Sequence, residues 1–214
     1  MPGAYPDYTI RQLESIAAGI LRIRFPAGVT IPVDIDLIVE TEPDVTLDIA
    51  PGLRGNCGVA GAVLAHPKEG RFTIIIDRDV ADGTAAFYRF TVAEEYAHLV
   101  LHRGILEKVE DLDDVVKLHE SDAYYNVLDR NAKWLASALL MPPELLRRDA
   151  RARFAALRAT GMTEEQLAAK MTIQLAQHYN VSRAAMGHRL KNWPLSIVAA
   201  LRVAFRTNLN ELPD

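Results

Sequence analysis

At 214 residues, half of them hydrophobic, the chain has enough material for one large domain, or one domain with a small appended one, around a sizeable core. A net charge of −4 argues against wholesale binding to nucleic acid or an anionic membrane and leaves only a local basic patch open. The one cysteine, Cys57, rules out an internal disulfide, no apolar run approaches the roughly 18–20 residues that span a bilayer, and Met1–Ile10 holds no basic-then-apolar leader, so a soluble cytoplasmic protein is expected.

Ile10, Leu13, Ile16, Ala17, Ile20 and Leu21 recur at helical spacing, and Pro26 with Gly28 ends the run, which predicts a helix over 10–25. A shorter helix is expected over Pro32–Glu40. Val45–Ile49 alternates apolar and polar residues and reads as a strand. Pro51-Gly52 and Arg54-Gly55-Asn56 mark a loop. The small apolar run Gly58–Ala65 and the β-branched run Phe72–Ile76 flank a turn at His66–Gly70 and suit an antiparallel hairpin. Thr84 is placed to cap a long helix that runs through His102. The acidic stretch Glu107, Glu110, Asp111, Asp113, Asp114 reads as a solvent-facing loop, with extra ligands for a cation as the lesser alternative. One long helix is expected over 116–140, stopped by Met141-Pro142-Pro143.

From Glu144 the composition turns to Arg and Ala. Thr163-Glu164-Glu165-Gln166 fits a capping box. Leu167–Lys191 then has the spacing of a helix, a tight turn and a second helix capped by Ser182. Arg183, His188, Arg189 and Lys191 form a candidate phosphate-contacting face, although the same spacing occurs in many helical proteins that never touch DNA. The apolar segment Pro194–Phe205 is expected to dock on its own domain in preference to self-association.

The chemistry concentrates in Phe90–His102. A helix turns about 100° per residue, so Glu94, His98 and His102 fall along one face with Glu95 beside them. A carboxylate and an imidazole one turn apart can share a metal ion, and a neighbouring carboxylate can take a proton from a metal-bound water. The usual form of this device is H-E-x-x-H; here the chain reads E-E-x-x-H. Adjacent glutamates on a helix are more often a solvated stripe. This helix, however, carries Phe87, Phe90, Val92, Ala93, Ala97, Leu99, Val100 and Leu101, apolar well beyond one stripe, so its carboxylates need a partner. A metal ion is one such partner and an arginine another. Cys57 reads as an inert residue, with no base identifiable for it.

Three stretches in order resemble the ImmA/IrrE family of metallopeptidase-like proteins. Arg89-Phe90-Thr91-Val92-Ala93-Glu94-Glu95-Tyr96-Ala97-His98 occupies the place of R-F-T-x-A-H-E-x-x-H. Asp129-Arg130-Asn131-Ala132-Lys133-Trp134-Leu135-Ala136-Ser137-Ala138-Leu139-Leu140-Met141-Pro142 is similar to E-x-x-A-N-x-F-A-x-x-L-L-M-P. Val181–Leu190 is similar to V-S-x-x-A-x-x-x-R-L. The resemblance spans roughly 32–192.

That resemblance implies an α+β fold. A zincin-like domain over 1–145 would pack a small, mostly antiparallel sheet on the active-site helix, and a helical, helix-turn-helix-like part would follow over 146–214. It implies a metal-dependent endopeptidase, or a diverged homologue, acting on a protein regulator such as a helix-turn-helix repressor, with ties to transcription regulation and stress response. The alternative is a catalytically inactive binding module or regulator. Glu94, His98 and Asp129 would be the metal ligands and Glu95 the general base, with His102, His119, Tyr124 and Tyr125 as accessory candidates. Zinc is the ion implied; two carboxylates and one imidazole tilt the set toward manganese or ferrous iron. The chain departs from the pattern at Glu94 and Asp129, and Lys133 stands where the family has Asn. DNA binding is not favoured, and no membrane partner is implied.

Overall fold

The structure is a computed structural model describing residues 6–120 and 122–213, with backbone only at 122–126. It divides into two compact units, residues 6–30 with 34–140, and residues 31–33 with 141–213.

The first unit opens with α1 (Ile10–Arg24), where Thr9 and Gln12 form a reciprocal capping box. Leu13, Ala17 and Leu21 make its buried stripe, four residues apart. The short α2 (Ile35–Glu40) begins at Asp34, whose carboxylate accepts from the Leu37 N–H. Strand β1 (Val45–Ala50) leads to α3 (Leu53–Cys57), a turn of helix where a loop is expected. Strands β2 (Gly61–His66) and β3 (Arg71–Asp77) form the expected antiparallel hairpin. The next elements are α4 (Arg78–Ala81), α5 (Ala85–Leu106), α6 (Leu112–His119) and α7 (Asp122–Leu140).

The strand order is β1-β3-β2. The β1 pairing is parallel, Val45 opposite Phe72 through Ala50 opposite Asp77, so the sheet is mixed where a mostly antiparallel one was expected. Alternation marks a strand; it carries no information about which neighbour the strand will take. Phe72, Ile74 and Ile76 project to one face of β3 and are buried. Helix α5 packs on β2 and β3, and α7 packs along α5, with α1 against α7.

Two expectations change here. The single helix over 116–140 is two helices, α6 and α7. The acidic loop is in part the start of α6: Asp111 caps it by accepting from the Asp114 N–H at 2.9 Å, and Asp114 pairs with Lys117 at 3.0 Å. Acidic residues at a helix N-terminus meet unpaired N–H groups and the positive end of the dipole, a local role that needs no cation.

The second unit holds α8 (Pro143–Arg158), α9 (Glu164–Tyr179), α10 (Arg183–Lys191) and α11 (Ile197–Arg206). Pro143 occupies the first turn of α8, where its missing N–H is no loss. Thr163 and Gln166 form the expected capping box, Asn180 takes the left-handed conformation that ends α9, and the Ser182 hydroxyl accepts from the Ala185 N–H. Helix α11 packs on α9 and α10, burying Ile197, Leu201 and Ala204. Arg189 is not part of an open basic face: it is 2 % exposed and donates through Nε and Nη2 to the Met141 carbonyl. Arg183, His188 and Lys191 remain exposed. No helix among the described residues is long and apolar enough to cross a membrane.

Candidate metal centre

Helix α5 begins where the Thr84 hydroxyl accepts from the Phe87 N–H, and it runs unbroken to a kink at His102, φ −127° and ψ 19°. Its apolar sides press Val92, Ala93, Tyr96 and Ala97 into the core and leave Glu94, Glu95 and His98 facing a cleft of about 350 Å³. Helix α7 brings Asp129 and Lys133, one turn apart, to the same cleft. One donor atom from each of Glu94, His98 and Asp129 falls within 4.8 Å of the other two. The far wall is apolar, with Val59 and Val63 near β2 and Leu106, Val115 and Leu128 from the helices.

Electrostatics make this cluster acid-rich. Loss of water pushes Glu94 up to about 7; Asp129 adds to the rise by its charge and a hydrogen bond, and Lys133 opposes it. Glu95 is driven well above its ordinary value, first by burial and then by the charges of Glu94 and Asp129. His98 is pushed down to about 3, mainly by burial, with His102, His119 and Lys133 adding to the shift. His98 is therefore a neutral imidazole. The counter-charge at hand is Lys133, whose Nζ lies 2.7 Å from Asp129 Oδ2 and 3.8 Å from Glu94 Oε1.

His102 is 2 % exposed, and its Nδ1 stands 3.2 Å from His98 Nδ1. One of the two nitrogens must carry the proton. If His98 donates from Nδ1, its Nε2 is free to bind a cation, and His102 then carries its own proton on Nε2. That Nε2 is buried without a hydrogen-bond partner. In that tautomer His102 would orient His98 from one position behind the Glu94–His98–Asp129 cluster. His119, on α6, lines the cleft. The side chains of Tyr124 and Tyr125 lie outside the described residues.

Gly61, at the start of β2, was not singled out from the sequence. A Cβ built on it would sit 2.8 Å from Glu95 Cγ and 3.0 Å from Thr91 Cγ2. The strand passes so close to Glu95 that only a glycine leaves the carboxylate room. A glycine opening a small apolar strand, Gly61-Ala62-Val63, was the one available signal.

Two carboxylates and a neutral imidazole converging from two helices, with a further carboxylate beside them, fit a divalent cation. The comparisons with known proteins speak to family and fold. The model of Peptidase_M78, the IrrE N-terminal-like domain, matches residues 71–191, more than half of the chain. The chain belongs to the Peptidase_M78 family. The matched span contains β3, both helices of the Peptidase_M78 cleft, and α8 to α10. No curated protein matches the chain. A solved Mycobacterium tuberculosis transcriptional regulator is similar in fold, with TM-score 0.50 and 13% identity over 86% of this chain. This chain covers 47% of that protein, about half its length.

Proposed function

We propose that this Peptidase_M78 chain is a metal-dependent endopeptidase that acts on a protein regulator, such as a helix-turn-helix repressor. The observation that carries the reading is the approach of Glu94, His98 and Asp129 to within 4.8 Å, with Glu95 next to them in the cleft. Glu94, His98 and Asp129 would hold the ion, zinc on the family's precedent, with manganese or ferrous iron favoured by the carboxylate-rich donor set. A bound divalent ion supplies a Lewis acid that polarises a peptide carbonyl and acidifies water. Glu95 takes the proton from the attacking water and returns it to the leaving amine nitrogen, so water and a peptide bond become a carboxylic acid and an amine. Its raised pKa makes it a stronger base once ionised. His102 holds the His98 ring in register. The apolar wall excludes water and receives an apolar side chain of the substrate.

A second reading has its own support. Lys133 supplies positive charge between Glu94 and Asp129, so the cluster is also compatible with a binding module that works without metal. The name of the mycobacterial neighbour is in keeping with a regulatory role, enzymatic or not. One experiment separates the two. The full chain, loaded in turn with zinc, manganese and ferrous iron, is assayed on a fluorogenic peptide library beside Glu95→Gln. The peptidase reading expects Glu95→Gln to keep its fold and its metal and to lose cleavage by about 10²–10⁴-fold. Cleavage at the parental rate removes Glu95 as the base, and no cleavage or stoichiometric metal in the parent supports the binding module.

A further inference from the structure

The positive charge inside the cleft belongs to a side chain that the proposed chemistry does not use. Lys133 leaves α7 one turn after Asp129, reaches its carboxylate at 2.7 Å, and extends to Glu94 at 3.8 Å. It therefore bridges two of the three donors that face a common point. An ammonium and a divalent ion drawn to the same oxygens repel each other, and an oxygen donating to one is a poorer ligand for the other. The lysine is tethered one turn away, so it competes at high local concentration without a binding step of its own. Its side chain is 47% exposed, and its long flexible stem can carry the ammonium toward solvent.

We infer that Lys133 is a resident competitor for the metal, a specificity-determining residue whose ammonium and a divalent cation take turns on Glu94 and Asp129. This inference rests on the metal-centre reading above. With the lysine in place, the carboxylates are neutralised well enough for the folded chain to persist without an ion. With the ion in place, the lysine swings outward. Each metal that enters must displace an internal cation. The centre is therefore tuned to weak, reversible loading and answers to the metal concentration around it.

The test uses the full chain, stripped with a chelator, and zinc as the probe. Zinc affinity is read by competition with a chromophoric chelator for the parent, Lys133→Gln and Lys133→Arg. Lys133→Gln is expected to bind zinc about tenfold tighter than the parent or better, whereas Lys133→Arg, which keeps the charge, stays near the parent. A second reading comes from melting: without metal, Lys133→Gln melts below the parent at neutral pH, and saturating zinc closes the gap. Equal zinc affinity in Lys133→Gln and the parent overturns the proposal while leaving the metal centre intact. Failure of both to bind zinc overturns the proposal and the metal centre together.

Discussion

The half-buried acids of the first unit's cleft and the buried Asp149 of the second unit put a similar problem to the fold and receive opposite answers. In the second unit Asp149 is only 8% exposed, and donors surround it. Tyr179 donates its hydroxyl proton to Oδ2 at 2.9 Å, Arg148 pairs with Oδ1 at 3.0 Å, and His178 Nε2 stands 3.4 Å from Oδ2. One acid has three partners. In the first unit Glu94, Glu95 and Asp129 share the cleft with Lys133 and the imidazoles of His98 and His119. A balanced acid is structural, since burial costs are met by fixed donors. An excess of acids, with a carboxylate pushed up to about 7, is the feature on which the metal-centre proposal rests.

That contrast can be sharpened by titration. The Glu94 carboxyl has its pKa raised from 4.5 to about 7 in the folded chain, so its contribution to stability is fully present below about 4.5 and is lost as pH rises through about 7. Glu94→Gln removes this dependence. Denaturant melts with a chelator present are expected to show the variant gaining on the parent by roughly 3 kcal/mol between the two ends of that window. A flat difference means that Glu94 is better neutralised than its surroundings imply, and the contrast with Asp149 weakens.

The balanced acid should behave otherwise. Asp149→Ala leaves the buried Tyr179 hydroxyl without its acceptor and is expected to destabilise the protein by about 2–3 kcal/mol, seen as a lower urea midpoint. Metal affinity should be untouched. Tyr179→Phe takes away one donor of three and should cost about 1–2 kcal/mol on the same measurement. If either change shifts zinc binding, the two acid groups are not independent.

Much of the fold was legible because its signals are local. The Thr163–Gln166 box, the Ser182 and Thr84 caps and the stop at Pro142 all act within a turn of the residues that announce them. The parallel seat of β1 beside β3 depends on long-range pairing that periodicity does not record. Arg189 follows the same logic. Its charge suggested a surface role, while its guanidinium is spent on the Met141 carbonyl. Within the cleft, Glu94, Glu95 and His98 were readable from helical spacing. Asp129 entered only through family resemblance, because spacing along one helix does not reveal what a second helix brings. Lys133 was visible as a departure from the family, but its place between two carboxylates is a fact of tertiary structure.

The bare backbone at Gly61 carries a consequence for how such a protein can diverge. One extra methyl group there would contact Glu95 at a distance no settled atom pair tolerates, and the carboxylate would have to leave its berth. The helix beneath and the strand above could persist with little change. A single codon change in a strand that carries none of the cleft's carboxylates would thus displace Glu95.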